Sequence, residues 1–354
     1  MPTPPSPAVQ FFTVGEEWAG QRLDNFLLRE LRGAPKTLVY RIIRSGEVRV
    51  NKGRAKAESK LAAGDVLRIP PLRLSEKAAP PSAIKNEAAQ AVLARKIVII
   101  HEENSFVAID KPAGLAVHGG SGVSLGLIET LRAQRRGQTG VTPYLELVHR
   151  LDRETSGVIL VAKKRSALVA LQEQFKNRST GKTYLALVQG DWPEKLKVID
   201  QALRKYQVAA GSNAEERRVE VVPHDHPDAM RALSLVKVLG CFTLPIPEDA
   251  TIPVSLLAVT IKTGRTHQIR VHLASNGHSI LGDDKYGDFT LNKRLAKGGA
   301  KAILPRMFLH AWQLRIADLQ TGQAQTFSSP LPPELADLLP PDLHDTIKKH
   351  LQKS

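Results

Sequence analysis

His149-Arg-Leu-Asp-Arg-Glu-Thr-Ser-Gly157 runs directly into Val158-Ile-Leu-Val-Ala162, and this junction of a polar turn with an apolar run organises the chain. Five consecutive apolar residues predict a strand that is covered on both faces of a sheet. Loops held by such a scaffold often carry catalytic groups. Asp152 stands between Arg150 and Arg153, whose guanidiniums would favour the ionised carboxylate and bind phosphates. A nucleophilic carboxylate acting on an RNA strand needs both properties, although a turn with surface ion pairs fits the same pattern.

Composition indicates the class of partner and the compartment. The chain of 354 residues carries 50 Lys and Arg against 35 Asp and Glu, a formal charge of +15, which favours polyanionic partners. The one cysteine, Cys241, allows neither a disulfide framework nor a CxxC metal site, and its apolar neighbours predict that it is buried. No apolar run reaches the roughly 18 residues that cross a membrane, and the proline-rich start lacks a secretory signal. We expect a soluble, monomeric, cytoplasmic protein.

The first part of the chain is small and basic. Apolar residues recur at helical spacing over 23–31 and again over 38–43, and short strands are predicted at 48–50 and 66–69. Between residues 36 and 60 there are eight basic side chains against two acidic ones, a net of +6. Because a solvated helix face normally mixes the two signs, we interpret this stretch as a phosphate-binding surface, with a merely soluble basic face as the alternative. Its predicted RNA contacts are Lys36, Arg41, Arg44, Arg49, Lys52 and Arg54.

A change of composition separates this part from a larger second one. Residues 73–92 have almost no large apolar side chain, which predicts a flexible linker that lets the two parts dock on RNA somewhat independently. Beyond it, strands and helices follow one another without regular βαβ repeats, which favours an α+β fold. Strands are predicted at 96–101, 106–109 and 183–188, and a helix at 168–175. The predicted boundaries are a disordered N-terminus at 1–13, a basic domain at 14–72, the linker at 73–92, a second domain at 93–330 and a tail at 331–354.

A series of sequence blocks, in order, resembles the RluA-type pseudouridine synthases, most closely those that act on large-subunit ribosomal RNA. The first part, with Arg22-Leu-Asp24 and Gly46-Glu-Val-Arg-Val-Asn51, resembles the S4 RNA-binding domain. The resemblance implies an S4-like domain followed by a catalytic domain with a mixed, mainly antiparallel sheet and a central cleft. Besides the stretch that contains Asp152, the blocks are Lys111-Pro-Ala-Gly114, Val117-His-Gly-Gly-Ser-Gly122, Lys182-Thr-Tyr-Leu-Ala186, Gly264-Arg-Thr-His-Gln-Ile-Arg-Val-His272 and Gly282-Asp-Asp-Lys-Tyr-Gly287.

The resemblance also implies roles for three residues. Asp152 matches the family's nucleophile, the Asp of His-Arg-Leu-Asp. Tyr184 matches its active-site tyrosine, which would stack on the uracil and relay a proton, although a core tyrosine of a strand is the alternative. Arg270 matches the basic partner of the aspartate, and a bidentate pair would lower the pKa of the Asp152 carboxyl and fix its rotamer.

Other residues near these blocks are candidates for RNA contacts rather than for cofactor binding. The resemblance implies that Arg150 would occupy the space of a flipped base, with an exposed salt bridge as the alternative. Arg265 and His267 would contact RNA or support the site. His267 and His272 lie about 140° apart on a helix and cannot share a metal-ligand face. The glycine run at 119–122 lacks the Lys-Ser/Thr of a phosphate-binding loop, so we expect neither a metal nor a nucleotide cofactor.

Two alternatives remain at this point. A non-catalytic RNA-binding or ribosome-assembly protein would need the basic surfaces but not Asp152, and an enzyme with the same chemistry could act on transfer RNA. The segment at 203–253 looks longer than the corresponding region of the family members that the chain resembles most. This difference weakens any assignment of particular uridines as substrates. The sequence also leaves open whether Asp152 attacks the ribose, attacks the base, or promotes elimination to a glycal.

Overall fold

The computed structural model describes most of the chain, including both predicted domains. The described residues are 8–31, 34–72, 87–119, 125–139, 143–210, 214–247, 250–297 and 302–352. Residues 1–7, residues 73–86 of the predicted linker and residues 120–122 of the glycine run lie outside them. In the described part, no helix is long and apolar enough to span a membrane.

The N-terminal domain packs two helices on one face of a small antiparallel sheet. Its strands pair in the order β1-β3-β2, and its core is formed by apolar residues that recur at the predicted helical spacing, such as Phe26, Leu27, Val39 and Ile42. The elements are β1 (Gln10–Thr13), a 3-10 helix (Glu16–Trp18), α1 (Leu23–Glu30), α2 (Lys36–Arg44), β2 (Arg49–Val50) and β3 (Val66–Ile69).

The predicted disorder of residues 1–13 is wrong for the end of that segment. Residues Gln10–Thr13 form β1, which pairs with β3, and the Phe12 ring meets the Phe26 ring edge-on with centroids 4.9 Å apart. The apolar residues Val9, Phe11 and Phe12 follow a proline-rich start and form too short a pattern to predict a strand, because the strand character of such a segment depends on the partner strand.

The second domain is built on one large sheet. Ten of the described strands belong to it, in the order β4-β5-β7-β14-β8-β13-β12-β9, with β6 added to β7 and β15 added to β14. All these neighbours are antiparallel except β7 and β14, so the expected mixed, mainly antiparallel sheet is confirmed. The strands are β4 (Val98–Glu102), β5 (Phe106–Lys111), β6 (Glu146–Leu147), β7 (Ser156–Ala162), β8 (Gly181–Gln189), β9 (Val198–Asp200), β12 (Leu233–Ile246), β13 (Ala250–Ile261), β14 (Leu309–Ala317) and β15 (Ala324–Ser328).

Among the described residues, a separate hairpin and seven helices complete this domain. The hairpin lies in the segment at 203–253 that the sequence marked as long, and the same segment contains β12 and the start of β13. The hairpin strands are β10 (Ala202–Ala210) and β11 (Ala214–Val222). The helices are α3 (Glu87–Ala94), α4 (Leu127–Thr139), α5 (Arg165–Lys176), α6 (Gln268–Ser275), α7 (Phe289–Ala296), α8 (Pro333–Ala336) and α9 (Pro341–Gln352).

The quoted junction lies at the centre of the large sheet. All seven residues of β7 are buried, as the apolar run predicts. The parallel contact of β7 with β14 is limited to two residue pairs, one of which joins Gly157 and Ala311. Gly157 has a φ of +113°, and a Cβ there would collide with the Ala311 carbonyl. Glycine is therefore required where the chain leaves the turn and enters the sheet.

The two domains share an interface that the linker composition did not predict. The Trp18 ring meets the Tyr144 ring edge-on at 4.8 Å, and Tyr144 is 4% exposed. The Arg29 guanidinium lies 3.9 Å from the centre of the Trp18 ring and donates a hydrogen bond to Glu146 at 3.0 Å. Leu168 of α5 packs against the same N-terminal core. The expected independence of the two parts is wrong in this respect, since side chains outside the linker join them.

The C-terminal residues 331–354, which the sequence set apart as a tail, contain part of the core of the second domain. Leu335 of α8, Leu343 and Ile347 of α9, and Leu339 between the two helices are buried in the largest apolar cluster. Leu343 packs so closely against Gly240 of β12 that a Cβ there would collide with it. These residues satisfy helical spacing, but the segment is short and its apolar face is recognisable only when β12 lies beneath it.

Cys241 is exposed, and the prediction of burial is wrong. Its apolar neighbours lie on β12, where the pairing with β13 shifts register between Val238 and Gly240. The buried side chains stay on one face of β12 on both sides of this shift, as Val236 and Leu244 show, and simple alternation along the strand places Cys241 on the opposite, exposed face.

Candidate active site

Asp152 lies at the meeting point of two cavities beside the centre of the large sheet. The first is a pocket of about 370 Å³ and the second a more open cavity of about 720 Å³. Both are lined by Arg150, Asp152, His267 and Arg270. The smaller one is of the size that encloses small ligands, and Tyr184 lines it as well. The structure therefore brings the three predicted catalytic residues to one pocket.

A buried lysine holds the turn that carries Asp152 through hydrogen bonds to backbone carbonyls. Lys111, the last residue of β5, is fully buried, and its ammonium donates to the carbonyls of Pro112 at 2.9 Å, Leu115 at 2.9 Å and Arg153 at 3.1 Å. The Gly114 amide donates to the same Arg153 carbonyl at 2.9 Å. Burial lowers the pKa of Lys111 to about 7. These bonds hold the backbone next to Asp152 in place.

Arg270 is buried and forms ion pairs with carboxylates at the site. It is 3% exposed and forms a bidentate pair with Asp283, at 2.7 Å from Nε and 2.6 Å from Nη2, and Nη2 also reaches Asp284 at 2.9 Å. Its Nη1 lies 3.8 Å from Oδ2 of Asp152. The bidentate partner is thus Asp283, which corrects the expectation that it is Asp152. Burial raises the pKa of Asp283, but the hydrogen bonds from Arg270 outweigh it and the pKa lies below its usual range.

Tyr184 projects from β8 and lies next to the β7–β14 crossing. It is opposite Ala311 of β14, which in turn is opposite Gly157 of β7, so one row across three strands joins the tyrosine to the turn. Burial, and then the negative charge of Asp152, raise the pKa of Tyr184 well above its usual range. The hydroxyl therefore stays protonated at any physiological pH and is available as a donor.

His267 also lies beside Asp152. The predicted role in RNA contact did not imply that it would lie so close to this carboxylate. Its Nε2 lies 3.9 Å from Oδ2 of Asp152, and its backbone has the left-handed φ of +51° at the start of α6. Its Nδ1 is 2.8 Å from the hydroxyl of Tyr286, and that hydroxyl accepts a bond from the Val219 amide of β11 at 3.0 Å. The Tyr286 O–H is thus free to donate to Nδ1, which places the proton of a neutral ring on Nε2, facing Asp152. Burial lowers the pKa of His267.

The remaining predicted RNA contacts divide between the two domains. Arg150 is exposed at the mouth of the pocket, whereas Arg265 lines the pocket and its Nε donates to the Arg231 carbonyl at 3.1 Å. The six basic residues predicted in the N-terminal domain do not line either cavity. Five are exposed and Arg49 is half-buried, and none forms an ion pair with another described residue. The set is Lys36, Arg41, Arg44, Arg49, Lys52 and Arg54.

Sequence reasoning assigned no role to several residues that build the site. Lys111, Asp283 and Tyr286 lie in quoted blocks, so the signal was present, but their partners are distant in sequence. His149 stacks on Phe175 with centroids 4.6 Å apart, and burial lowers its pKa to about 3. A neutral imidazole and an aromatic ring thus form an apolar wall of the pocket. In the described part of the chain, no group of three or more His, Cys, Asp or Glu residues is arranged to hold a metal ion.

Comparison with known proteins agrees with this geometry. The RNA pseudouridylate synthase family model matches residues 105–275, and the S4 domain model matches residues 21–67. The chain is 44% identical to the ribosomal large subunit pseudouridine synthase C of Pasteurella multocida, over 94% of this chain and 93% of that protein. It is 43% identical to the protein of the same name from Escherichia coli O157:H7, over 98% of this chain and 97% of that one.

A solved structure has the same fold. The human RNA pseudouridylate synthase domain containing 4 is 26% identical, with a TM-score of 0.52 over 70% of this chain and 93% of that one. With an α+β sheet of this order, a pocket around Asp152 and near full-length relatives, the chain belongs to the RNA pseudouridylate synthase family and carries an N-terminal S4 domain.

Proposed function

We propose that this enzyme isomerises uridines of large-subunit ribosomal RNA to pseudouridine, with Asp152 as the nucleophile. The observation that carries the proposal is the pocket itself. Asp152 is the one carboxylate among the described residues that line it, and every other ionisable group there is a cation, a histidine or a tyrosine. A single anion in a cationic pocket suits a nucleophile that must approach a polyanionic substrate.

The chemistry requires no group donor. The bond from N1 of the base to the ribose is broken, the base turns, and C5 is joined to the same ribose carbon. C5 then loses a proton and N1 gains one. The target uridine must first leave the helix stack, at a cost of a few kcal/mol, and enter a pocket.

Each neighbouring residue would support one of these steps. The Tyr184 ring, beside Asp152 in the pocket, would lie against the uracil, a contact worth about 1–3 kcal/mol. Arg270, held by Asp283, would keep the Asp152 carboxylate oriented at 3.8 Å without neutralising it through a bidentate bond. The exposed Arg150 would occupy the space that the base leaves. The S4 domain would provide phosphate contacts apart from the pocket, and we place the enzyme in the cytoplasm as a monomer that needs no cofactor.

The identity of the RNA is tested by mapping pseudouridines in total RNA from a strain that lacks this protein. Complementation with the wild-type chain should restore modification in large-subunit ribosomal RNA. If only transfer RNA regains pseudouridine, the chemistry stands and the substrate is wrong.

Substitution of Asp152 tests the reaction. Asp152→Asn is nearly isosteric but supplies no anion, so we expect the rate of pseudouridine formation to fall by about 10³-fold or more. RNA affinity should stay within about threefold, because the phosphate contacts lie elsewhere. Asp191→Asn, an exposed aspartate outside the pocket, is the matched control and should behave like the wild type. Turnover near the wild-type rate in purified Asp152→Asn would exclude the nucleophile assignment and favour a binding protein.

A further inference from the structure

Lys182 is a cation in the pocket that the proposed reaction does not use. It lies two residues before Tyr184 on β8, and alternation along a strand places both side chains on the same face. Both line the pocket that contains Asp152. The ammonium lies 5.5 Å from the centre of the Phe175 ring. A Cβ at Gly264 would stand 3.6 Å from it, so the glycine leaves this side of the ammonium open.

Lys182 differs from Arg270, Lys111 and Lys176 in forming neither an ion pair nor a hydrogen bond with a described residue. Arg270 is paired with Asp283, and Lys111 donates to three carbonyls. Lys176, at the same pocket, lies 3.5 Å from Glu173. In contrast, Lys182 forms no ion pair and no hydrogen bond with any residue that the structure describes. Burial, and then the nearby Arg178, lower its pKa.

An ammonium that is partly removed from water without a counter-charge is unfavourable in the free enzyme. Such a cost is recovered when an anion binds. The pocket offers no spare carboxylate, since Asp152 is the one acidic residue among its described lining and faces His267 and Arg270. The anion must therefore come with the substrate.

The position of Lys182 along the strand indicates which part of the bound nucleotide lies beside it. Two residues of a strand span about 6.8 Å, so a base that lies against Tyr184 leaves Lys182 beside the sugar-phosphate backbone rather than beside the base. Residues 185–188 of β8 are fully buried, whereas Lys182 lies at the half-buried start of the strand, toward the pocket mouth. The mouth also carries the exposed side chains of Arg150 and Lys176.

We propose that Lys182 binds a phosphate that flanks the flipped uridine. This rests on the proposed function, because it takes the base to lie on Tyr184. Lys182 is then a substrate-binding residue. Its positive charge matters more for phosphate binding than the shape of the ammonium group.

The first test uses Lys182→Gln, Lys182→Arg and the control Lys197→Gln. Lys197 is exposed on the segment before β9, and its loss changes the net charge equally. The probe is a short stem-loop RNA that the wild type converts. For Lys182→Gln we expect KM to rise about tenfold with kcat within about twofold, and the log–log salt slope of binding to fall by about 0.7. Lys182→Arg should retain most of the affinity and the slope, and Lys197→Gln should match the wild type.

Thermal unfolding separates binding from a structural role. Because Lys182 forms neither an ion pair nor a hydrogen bond with a described residue, and its one ring contact, with Phe175, is long at 5.5 Å, Lys182→Gln should melt at the wild-type temperature or above it. A lower melting temperature together with an unchanged salt slope would show that the lysine stabilises the fold, and the proposal would be wrong.

The second test replaces one phosphate at a time. Stem-loops with a neutral methylphosphonate on the 5′ or the 3′ side of the target uridine are bound by wild type and by Lys182→Gln. At one of the two linkages the methylphosphonate should weaken binding of the wild type but not of Lys182→Gln, as expected for two changes that remove the same contact. Additive losses at both linkages would overturn the assignment. If the wild type converts no RNA at all, the proposed function fails first, so the two failures are distinguishable.

Discussion

The basic residues of the S4 domain and the arginine at the active site belong to one class of side chain but lie in opposite environments. Along α2, Lys36, Arg41 and Arg44 are exposed, and none forms an ion pair with another described residue. Arg270 is 3% exposed and is held by Asp283 and Asp284. Solvated cations keep their mobility and bind phosphates wherever the RNA presents them, whereas a buried arginine is stable only when carboxylates fix it.

This difference suggests that the exposed cations contribute to RNA affinity, whereas the buried arginine maintains the geometry of the pocket. The exposed cations suit an electrostatic contribution that varies with salt, because each phosphate contact releases counterions. The Arg270 network suits a contribution that salt hardly changes, since buried pairs are screened much less than exposed ones. Variants in the two regions should therefore differ in what they change as well as in how much.

The largest effect is expected at Arg270. Arg270→Met leaves Asp283 buried without its guanidinium, so the free energy of unfolding should fall by about 3–5 kcal/mol, and turnover should be lost as Asp152 loses its neighbour. Urea denaturation and a pseudouridine assay measure the two quantities. The double variant Arg270→Met/Asp283→Asn removes the uncompensated charge and should regain much of the stability but none of the activity. Recovery of activity in the double variant would show that Arg270 acts only through stability.

An intermediate effect is expected from the S4 domain. Replacing Lys36, Arg41 and Arg44 together by Gln should lower the log–log salt slope of RNA binding by about 2, at about 0.7–0.9 for each lost contact. Stability and kcat at saturating RNA should be unchanged, because these side chains are exposed and form no ion pair with a described residue. Binding isotherms over a salt series measure the slope. The matched control replaces the exposed Lys195, Lys197 and Lys348 by Gln, and an equal loss of slope in both triple variants would show that only net charge matters.

The smallest effect is expected at the contact that joins the two regions. Arg29→Ala removes the cation over the Trp18 ring and the 3.0 Å bond to Glu146, which should cost about 1–2 kcal/mol of unfolding free energy. The loss is limited because Arg132 still donates to Glu146 at 2.9 Å. Lys348→Ala removes an exposed pair with Asp345 at 3.8 Å and should be nearly neutral in urea denaturation. Equal stability of both variants would mean that the interface does not hold the domains together.

The elements that the sequence predicted well are those with a strong local pattern. The helices around Phe26 and Ile42, the paired strands before Lys111 and the buried strand after Gly157 follow from periodicity alone. The N-terminal strand β1 and the C-terminal helices could not be predicted in the same way. Their apolar residues are few, and the strand or sheet against which they pack is distant in sequence.

The site likewise has features that the sequence indicates and features that only the folded chain decides. The sequence by itself identified the candidate catalytic residues, because Asp152, Tyr184 and Arg270 stand in blocks that resemble those of one enzyme family. Only the tertiary structure decided the partners. Arg270 takes Asp283 rather than Asp152, His267 turns toward Asp152, and Lys182 is left without a counter-charge among the described residues. The physical reason is that a side chain's chemistry is local, whereas its charge environment and burial depend on strands and helices that only the folded chain brings together.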